Sequence, residues 1–464
     1  MKYSFSQINI LFWCSCLLLI CTSCATYNSQ SQVFQTKIQQ GDTKSALTAI
    51  DKNKFLAKPR NRLLYLLEKG KVAYLDGNYK LSNQLFNEAD MNIEENKKAV
   101  GNKIIGALLN PEKETYKGED FEKVAIHYYK ALNYTFLSKY DEALVEAKRI
   151  SLQLQKINEA YPEGKKNRYK DDAFALNLQG LLYEASGDVN NAFIAYRNAV
   201  DLYLENQGTY IGVPIPKQLK QDVLRTADIM GFSNNVEEYE KKLGIKYKKE
   251  KNQSDQEVVV FWENGLVPYK DETFFTFTVL PGAGLGYATI INEDLSLDLP
   301  FPTFNKNSST LDVFNVAFPK YVARQPYYNS ATIISAENTY DFQLAQNYDE
   351  IAFKTLKDRT VREIGKMALR IATKKAMQYT VQNQNEGLGI ALSLVNALTE
   401  SADTRNWQSL PSKIYYSRVP LKGGESTLNF QLQSFSRGKN QIEIKVDQKK
   451  GLQFKKVSSN KVYK

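Results

Sequence analysis

Residues 174–205, "FALNLQGLLYEASGDVNNAFIAYRNAVDLYLE", decide how the first half of this chain folds. Apolar residues recur at helical spacing on both sides of Gly187. That predicts two helices broken by a turn, because glycine readily ends a helix in the left-handed conformation. Gly180, Ala192 and Ala199 alternate with Tyr183 and Tyr196. Small residues let two helices approach closely while aromatics fill the gaps between them, so the segment reads as an antiparallel helix pair.

The same spacing returns elsewhere. In residues 67–95, "LEKGKVAYLDGNYKLSNQLFNEADMNIEE", the corresponding places are held by Gly70, Gly77, Asn78, Tyr79, Phe86 and Ala89. Residues 131–150 repeat it with Ala131, Tyr140, Ala143 and Ala147, and residues 38–51 form a degenerate first copy with Gly41 and Ala46. This is the spacing of tetratricopeptide repeats, which stack into a superhelix whose concave face commonly receives a peptide or a partner helix. The array is expected over residues 34–244, closed by helices in "KQLKQDVLRTADIMGFSNNVEEYEKKLG". Polar "IKYKKEKNQSDQE", residues 245–257, reads as a linker.

After that linker the apolar period falls to two. "EVVVFWENG", "FFTFTVL", "LDVFNVAFPKYV" and "SATIIS" read as strands, as do "KIYYSRVPL", "STLNFQLQSF" and "NQIEIKV" near the end. Between the two groups a long helix is expected from about Asp349 to Tyr379, with Val361, Ile364, Ala368, Ile371 and Ala372 on one stripe. A shorter apolar helix is expected over Ile390 to Leu398. The expected fold class is α+β: an N-terminal all-α tetratricopeptide-like array, then a C-terminal mixed sheet or sandwich domain over residues 258–464 with a long helical insertion.

Composition and cysteine placement bound the setting. A chain of 464 residues with 43% hydrophobic content can bury two or three ordinary cores, and its formal charge of +10 favours anionic partners weakly. All four cysteines, Cys14, Cys16, Cys21 and Cys24, lie in the opening "MKYSFSQINILFWCSCLLLICTSC", so no disulfide framework is expected beyond it. One positive charge followed by an apolar run is the layout of a secretory signal, expected over residues 1–23. "ICTSC" resembles a lipobox, which makes Cys24 the expected lipidated residue and residues 24–33 a short polar tether. Ala25 after the cysteine points by lipoprotein sorting rules to the outer membrane, facing the periplasm. Nucleic acid is not an expected partner there.

"YKGEDFEKVAIHYYKALNYTFLSKYDEALVEAKR", "VVVFWENGLVPYKDE", "VAFPKYV" and "ESADTRNWQSLP", in this order, resemble a family of bacterial tetratricopeptide-containing outer-membrane lipoproteins. The resemblance covers most of the chain after the signal. It implies an envelope location and no established activity, with a loose association to lipoproteins that activate penicillin-binding proteins.

Candidate chemistry is sparse. His127 is the only histidine, which excludes sites built on two histidines, and acylation would remove Cys24 from thiolate or zinc chemistry, so no metal or cofactor is expected. Ser436 with Lys439, and Ser458 with Lys461, have the S-x-x-K spacing of serine acyltransferases, but they lie in a hairpin turn and a basic tail instead of opening a buried helix. Gly282, Gly284 and Gly286 lack the spacing of a phosphate loop and read as an apolar turn. Glu119, Asp120 and Glu122 suit the start of a helix, where acids complement the dipole.

Arg362, Lys366, Arg370 and Lys374 recur every four residues and form a basic ridge, suited either to solvent or to an anionic partner. Asp403, Arg405 and Trp407 crowd a helix-to-strand junction. There Arg405 either pairs with Asp403 and lies on Trp407, locking a corner, or projects into a cleft to grip a ligand carboxylate or phosphate. Two functions follow. One is a non-enzymatic, lipid-anchored scaffold whose array recruits envelope proteins or peptides, with anionic envelope polymers as a further partner. The other is a hydrolase or transferase acting on cell-wall or envelope polymers, with its site in the C-terminal domain.

Overall fold

Two glycines show why the helices pair as they do. In the computed structural model, a Cβ on Gly70 would lie 2.7 Å from Cε1 of Phe86, and one on Gly180 would lie 2.3 Å from Cε1 of Tyr196. Only glycine admits each aromatic ring against the facing backbone, and the two contacts occupy equivalent places in two repeats. The structure describes residues 26–98, 114–159, 161, 169–249, 254–279, 285–292, 295–302, 312–360, 364–365, 402–422, 424–436 and 438–463.

Among these residues ten consecutive helices form five pairs. They are α1 (Tyr27–Gln39) with α2 (Thr43–Asp51), α3 (Arg62–Leu75) with α4 (Tyr79–Lys98), and α5 (Asp120–Phe136) with α6 (Tyr140–Glu159). Then come α7 (Ala173–Ala185) with α8 (Val189–Glu205) and α9 (Lys217–Ile229) with α10 (Ser233–Leu243). Asp42, Asp172 and Asp188 cap α2, α7 and α8 by accepting the amide three residues on. Gly41, Gly77 and Gly187 end the first helix of their pairs at φ of +76°, +80° and +85°. Residues 27–33, expected within a polar tether, are helical instead. Tyr27 is fully buried and donates to Glu68 Oε1 at 2.7 Å, a contact invisible in a polar stretch of sequence.

A short hairpin, β1 (Thr209–Tyr210) with β2 (Val213–Pro214), interrupts the helices. The remaining strands are β3 (Gln256–Asn264), β4 (Tyr269–Val279), β5 (Leu285–Asn292), β6 (Leu295–Pro302) and β7 (Asp312–Val322). They continue with β8 (Tyr328–Ser335), β9 (Asn338–Asp341), β10 (Gln343–Asn347), β11 (Lys413–Pro420), β12 (Thr427–Ser434), β13 (Lys439–Lys445) and β14 (Gly451–Ser459). Three four-stranded sheets result, in the orders β10-β11-β3-β14, β13-β12-β8-β9 and β6-β5-β4-β7. Helix α11 covers residues 348–360 at the start of the expected long helix, and residues 364–365 are helical again. The expected apolar helix over Ile390 to Leu398 lies outside the described residues.

The apolar run Val258 to Trp262 lacks alternation because β3 is buried on both faces. Val259 and Phe261 join the core shared with the helices, whereas Val258, Val260 and Trp262 join a second core with Leu428, Phe430 and Leu432 of β12. The order of layers is therefore helices, first sheet, second sheet. Strand β14 pairs in parallel with β3, Gly451 opposite Gln256 and Ser459 opposite Asn264. Residues 451–459 are thus a strand within the stretch that reads from sequence as a basic tail. Gly286 lies in β5 opposite Phe301, so the expected glycine turn is in part a strand.

Candidate functional site

Period two puts Glu263 on the same face of β3 as Val259 and Phe261, Arg418 on the same face of β11 as Ile414 and Tyr416, and Lys456 on the same face of β14 as Leu452 and Phe454. That face packs on the helices, so three charges point inward from one sheet. Each meets a partner on the first helix of a pair.

Glu263 accepts from Lys71 Nζ of α3 at 2.7 Å and from Tyr129 Oη of α5 at 2.8 Å, and both members of the ion pair have no exposed side-chain surface. Burial holds the Lys71 ammonium down at about 8 against the pull of Glu263. For Glu263 burial acts upward, but Lys71 keeps its carboxyl below the ordinary range. Half-buried Lys456 donates to the Tyr74 carbonyl at 2.5 Å with its ammonium 3.9 Å from the Tyr74 ring centre. Burial, only partly opposed by Glu263, lowers it to about 7. Arg418 bridges Glu184 of α7 at 2.7 Å and Asp222 of α9 at 3.0 Å, and also pairs with Glu257.

The junction ahead of β11 continues the same seam. Trp407, fully buried, packs between Phe86 and Tyr129 with ring centres 5.5 and 5.9 Å away. Its amide donates to Glu122 Oε1 at 2.7 Å, and the next amide, of Gln408, donates to Glu68 Oε1 at 2.8 Å. Two carboxylates on α3 and α5 thus read consecutive backbone amides of the irregular segment ahead of β11. Glu122 also closes the capping box of α5 and accepts from Tyr116 Oη at 2.5 Å. Burial, then the charge of Glu119, raises the Glu122 carboxyl, while Arg359 and Lys270 hold Glu119 well below the usual range despite its own burial.

Arg405 is 1% exposed. It grips Asp403 through Nε and Nη2 at 2.8 and 2.7 Å, donates to Asn61 Oδ1 at 2.8 Å and to the Glu114 carbonyl at 3.0 Å. The pairing with Asp403 is one of the two arrangements the sequence left open. The ring beneath the guanidinium is Tyr116, 5.2 Å away, not Trp407, because Trp407 turns into the helices. Asp403, Arg405 and Trp407 are therefore brought together, and what they bind is this chain's own helical array.

The other candidates are dispersed. His127 Nδ1 lies 2.9 Å from Glu146 Oε2, an acid that also pairs with Lys130 at 2.9 Å, inside the α5–α6 pair. Ser436 Oγ bonds Ser434 Oγ at 3.0 Å in a turn, while Lys439 opens β13 at the surface. Ser458 donates to Glu263 at 3.0 Å and Lys461 lies 3.8 Å from the Tyr327 ring centre. Arg362, Lys366, Arg370, Lys374 and Cys24 lie outside the described residues. Among the described residues no group of three or more His, Cys, Asp or Glu side chains is placed to hold a metal ion, and no helix is long and apolar enough to cross a membrane.

No known protein family matches the sequence, and no curated protein does. Similar solved structures include MamA, 16% identical over 45% of this chain and 91% of that one at a TM-score of 0.28. A Podosopora anserina putative kinesin light chain with nearly identical TPR-like repeats is 13% identical over 47% of this chain and 92% of its own, at 0.30. Bacillus thuringiensis PlcR, solved with the peptide PapR7 and DNA, is 11% identical over 47% and 68%, at 0.28. Scores this low carry no weight here, and the repeat reading rests on the paired helices and their glycine–aromatic contacts.

Sequence reasoning overlooked Glu263, Arg418 and Lys456 as inward charges. For Glu263 and Arg418 the available signal was their phase, since each continues the buried parity of a largely apolar strand, whereas the polar residues of β14 obscure that of Lys456.

Proposed function

We propose that this protein is a non-catalytic scaffold of a bacterial envelope, held in the outer membrane by lipid on Cys24 and facing the periplasm. In this reading the helical array cradles the chain's own C-terminal sheets and engages partner proteins on its outer helices. One observation carries the reading. The groups that resemble catalytic machinery, Glu119, Glu122, Lys270 and Arg405, are all 6% exposed or less and are bonded to one another's neighbours across the seam. A buried, internally satisfied carboxylate has no approach for a polymer substrate. The face that repeats commonly offer to a ligand is covered by β3, β11, β14 and residues 402–412.

Outward docking is supported by Met91 on α4 and by Val145 and Leu152 on α6, which are 57%, 52% and 55% exposed. All three lie on second helices, away from the seam. The test pairs two assays on the purified mature protein. Photocrosslinkers at Val145 and Leu152 should capture a defined protein partner whose purified form binds wild type and not Val145→Glu/Leu152→Glu. Turnover of peptidoglycan or another envelope polymer by the protein alone would refute the scaffold reading.

A further inference from the structure

We propose that the end of the array from which the chain runs back to Cys24 is a membrane-contact face that seats the phosphate headgroups of an anionic phospholipid bilayer. This rests on the lipid-anchor reading above for its geometry. Helix α1 begins at Tyr27, three residues after Cys24, and three residues span at most about 10 Å. A lipid on Cys24 would therefore hold the first helix pair against the bilayer.

That end is basic. Asn53 Nδ2 donates to the Gln30 carbonyl at 2.8 Å, so the turn after α2 returns to the first turn of α1. Lys52, Lys54 and Lys58 consequently stand, exposed, beside the point where the chain leaves toward Cys24. Between α1 and α2 runs an open groove of about 650 Å³, floored by Val33, Thr48 and Ala49 and rimmed by Lys44 at one end and Lys52 and Lys54 at the other. Helix α2 is nine residues long, which separates the two rims by about 13 Å, the scale of a phospholipid head. Val33 lines that groove 64% exposed, an apolar side chain free to enter the acyl boundary of a bilayer lying on this face.

The nearby acids do not neutralise the lysines. Asp51 accepts from Tyr65 at 2.8 Å and from Lys69 at 2.7 Å. Asp42 caps the Ser45 amide at 3.1 Å and lies 3.8 Å from Lys37. Among the described residues Lys44, Lys52, Lys54 and Lys58 have no ion-pair partner. Three ammonium groups around a partly apolar groove, with Lys58 exposed nearby and an acyl anchor beside them, match a surface of phosphates above hydrocarbon. The anchor supplies retention, and the lysines fix which side of the array lies down.

The mature chain has no cysteine after Cys24, so Thr48→Cys introduces one labelling site on the groove floor. The lipidated protein carrying a dye there is reconstituted in vesicles of phosphatidylethanolamine, or of phosphatidylethanolamine and phosphatidylglycerol in a three-to-one mixture, with a headgroup quencher. Quenching should be strong only with phosphatidylglycerol, be reversed by salt, and disappear in Lys52→Glu/Lys54→Glu/Lys58→Glu. Each lysine near an anionic surface is worth about a factor of five in partition, so loss of the three positive charges alone should raise the anionic lipid needed by roughly a hundredfold, and their reversal to glutamate by more. Anchored protein whose dye stays unquenched, or is quenched equally in neutral vesicles or in the triple variant, overturns the contact face while leaving the anchor intact. If fatty-acid labelling of Cys24 fails, the anchor reading falls by itself. The face is then judged by co-sedimentation of the unlipidated chain with the same vesicles, where selective binding lost in the triple variant supports it and equal or absent binding overturns it.

Discussion

Replacing Arg405 by alanine should loosen both halves of the molecule at once. The guanidinium links Asp403 of the junction to Asn61 at the start of α3 and to the Glu114 carbonyl ahead of α5, all from a position 1% exposed. Truncation removes these bonds and leaves Asn61 Oδ1, itself fully buried, without its donor. An unsatisfied buried acceptor costs about 1–3 kcal/mol, and breaking a fully buried ion pair costs about 3–5 kcal/mol. The Asp403 side chain keeps 28% of its surface and can recover water, which moves the expected loss toward the lower end, about 3 kcal/mol. In a cooperative unit of more than 400 residues that corresponds to a fall in Tm of about 3 °C. Far-ultraviolet circular dichroism follows the helices and tryptophan fluorescence follows Trp262 and Trp407, and both transitions should move together. A variant that melts at the wild-type temperature, or one whose fluorescence transition shifts while the helical transition does not, would refute the view that Arg405 clamps sheet and array.

The seam makes three more outcomes testable. Residues 34–244 alone, a span that reads from sequence as an independent domain, should give only partial, non-cooperative helix by circular dichroism, because Lys71, Glu68, Glu122 and Asp222 lose the groups that satisfy them; a sharp cooperative melt would count against this. Gly180→Ala should cost about 1–3 kcal/mol in urea unfolding, since the new methyl meets the Tyr196 ring at 2.3 Å, and an unchanged midpoint would mean the pair relaxes freely. Lys456 and Lys71 titrate near 7 and 8 when folded and near their ordinary value of about 10 when unfolded. Between those limits the unfolded chain binds more protons, so stability should rise with pH from about 7 to 10, by at most about 1.4 kcal/mol per unit for each lysine. Lys456→Met should flatten that rise, and a wild-type stability that falls across this window would contradict the assigned environments.

How much of this was legible in sequence depends on how far apart the interacting residues lie. The helix pairs were readable because Gly180 and Tyr196, or Gly70 and Phe86, are sixteen residues apart and act within one repeat. The Asp403–Arg405 pairing was readable for the same reason. Strand β14 was hidden because Lys455 and Lys456 interrupt its few apolar residues, Leu452 and Phe454 on one face and Val457 on the other, and because its neighbour β3 lies almost two hundred residues earlier and runs parallel. Phase alone marks Glu263 as an inward charge. Nothing local marks Lys71 as its partner, so a sequence reader sees a solvated lysine on a repeat helix and a strand-ending glutamate. Burial of Tyr27 was equally hidden, since the carboxylate that fixes it, Glu68, belongs to the next repeat.

The occupied seam also decides which surfaces a partner could use. Residues 402–412 are tied to the array through the chain itself, so they compete for the helices at an effective concentration on the order of millimolar or above. A free peptide of equal intrinsic affinity present at about 10 µM would hold the site about one per cent of the time. It would also have to supply two amides for Glu68 and Glu122, an indole between Phe86 and Tyr129, and a cation for Asn61 and the Glu114 carbonyl. A ligand lacking either amide or the cation leaves a buried polar group unpaired, at a cost that lowers its affinity by a further factor of ten or so. Mass action therefore keeps the seam closed at ordinary partner concentrations, and under the scaffold proposal a partner would dock on the second helices or on the sheet β6-β5-β4-β7, where Phe274 and Ile291 stand 60% and 52% exposed.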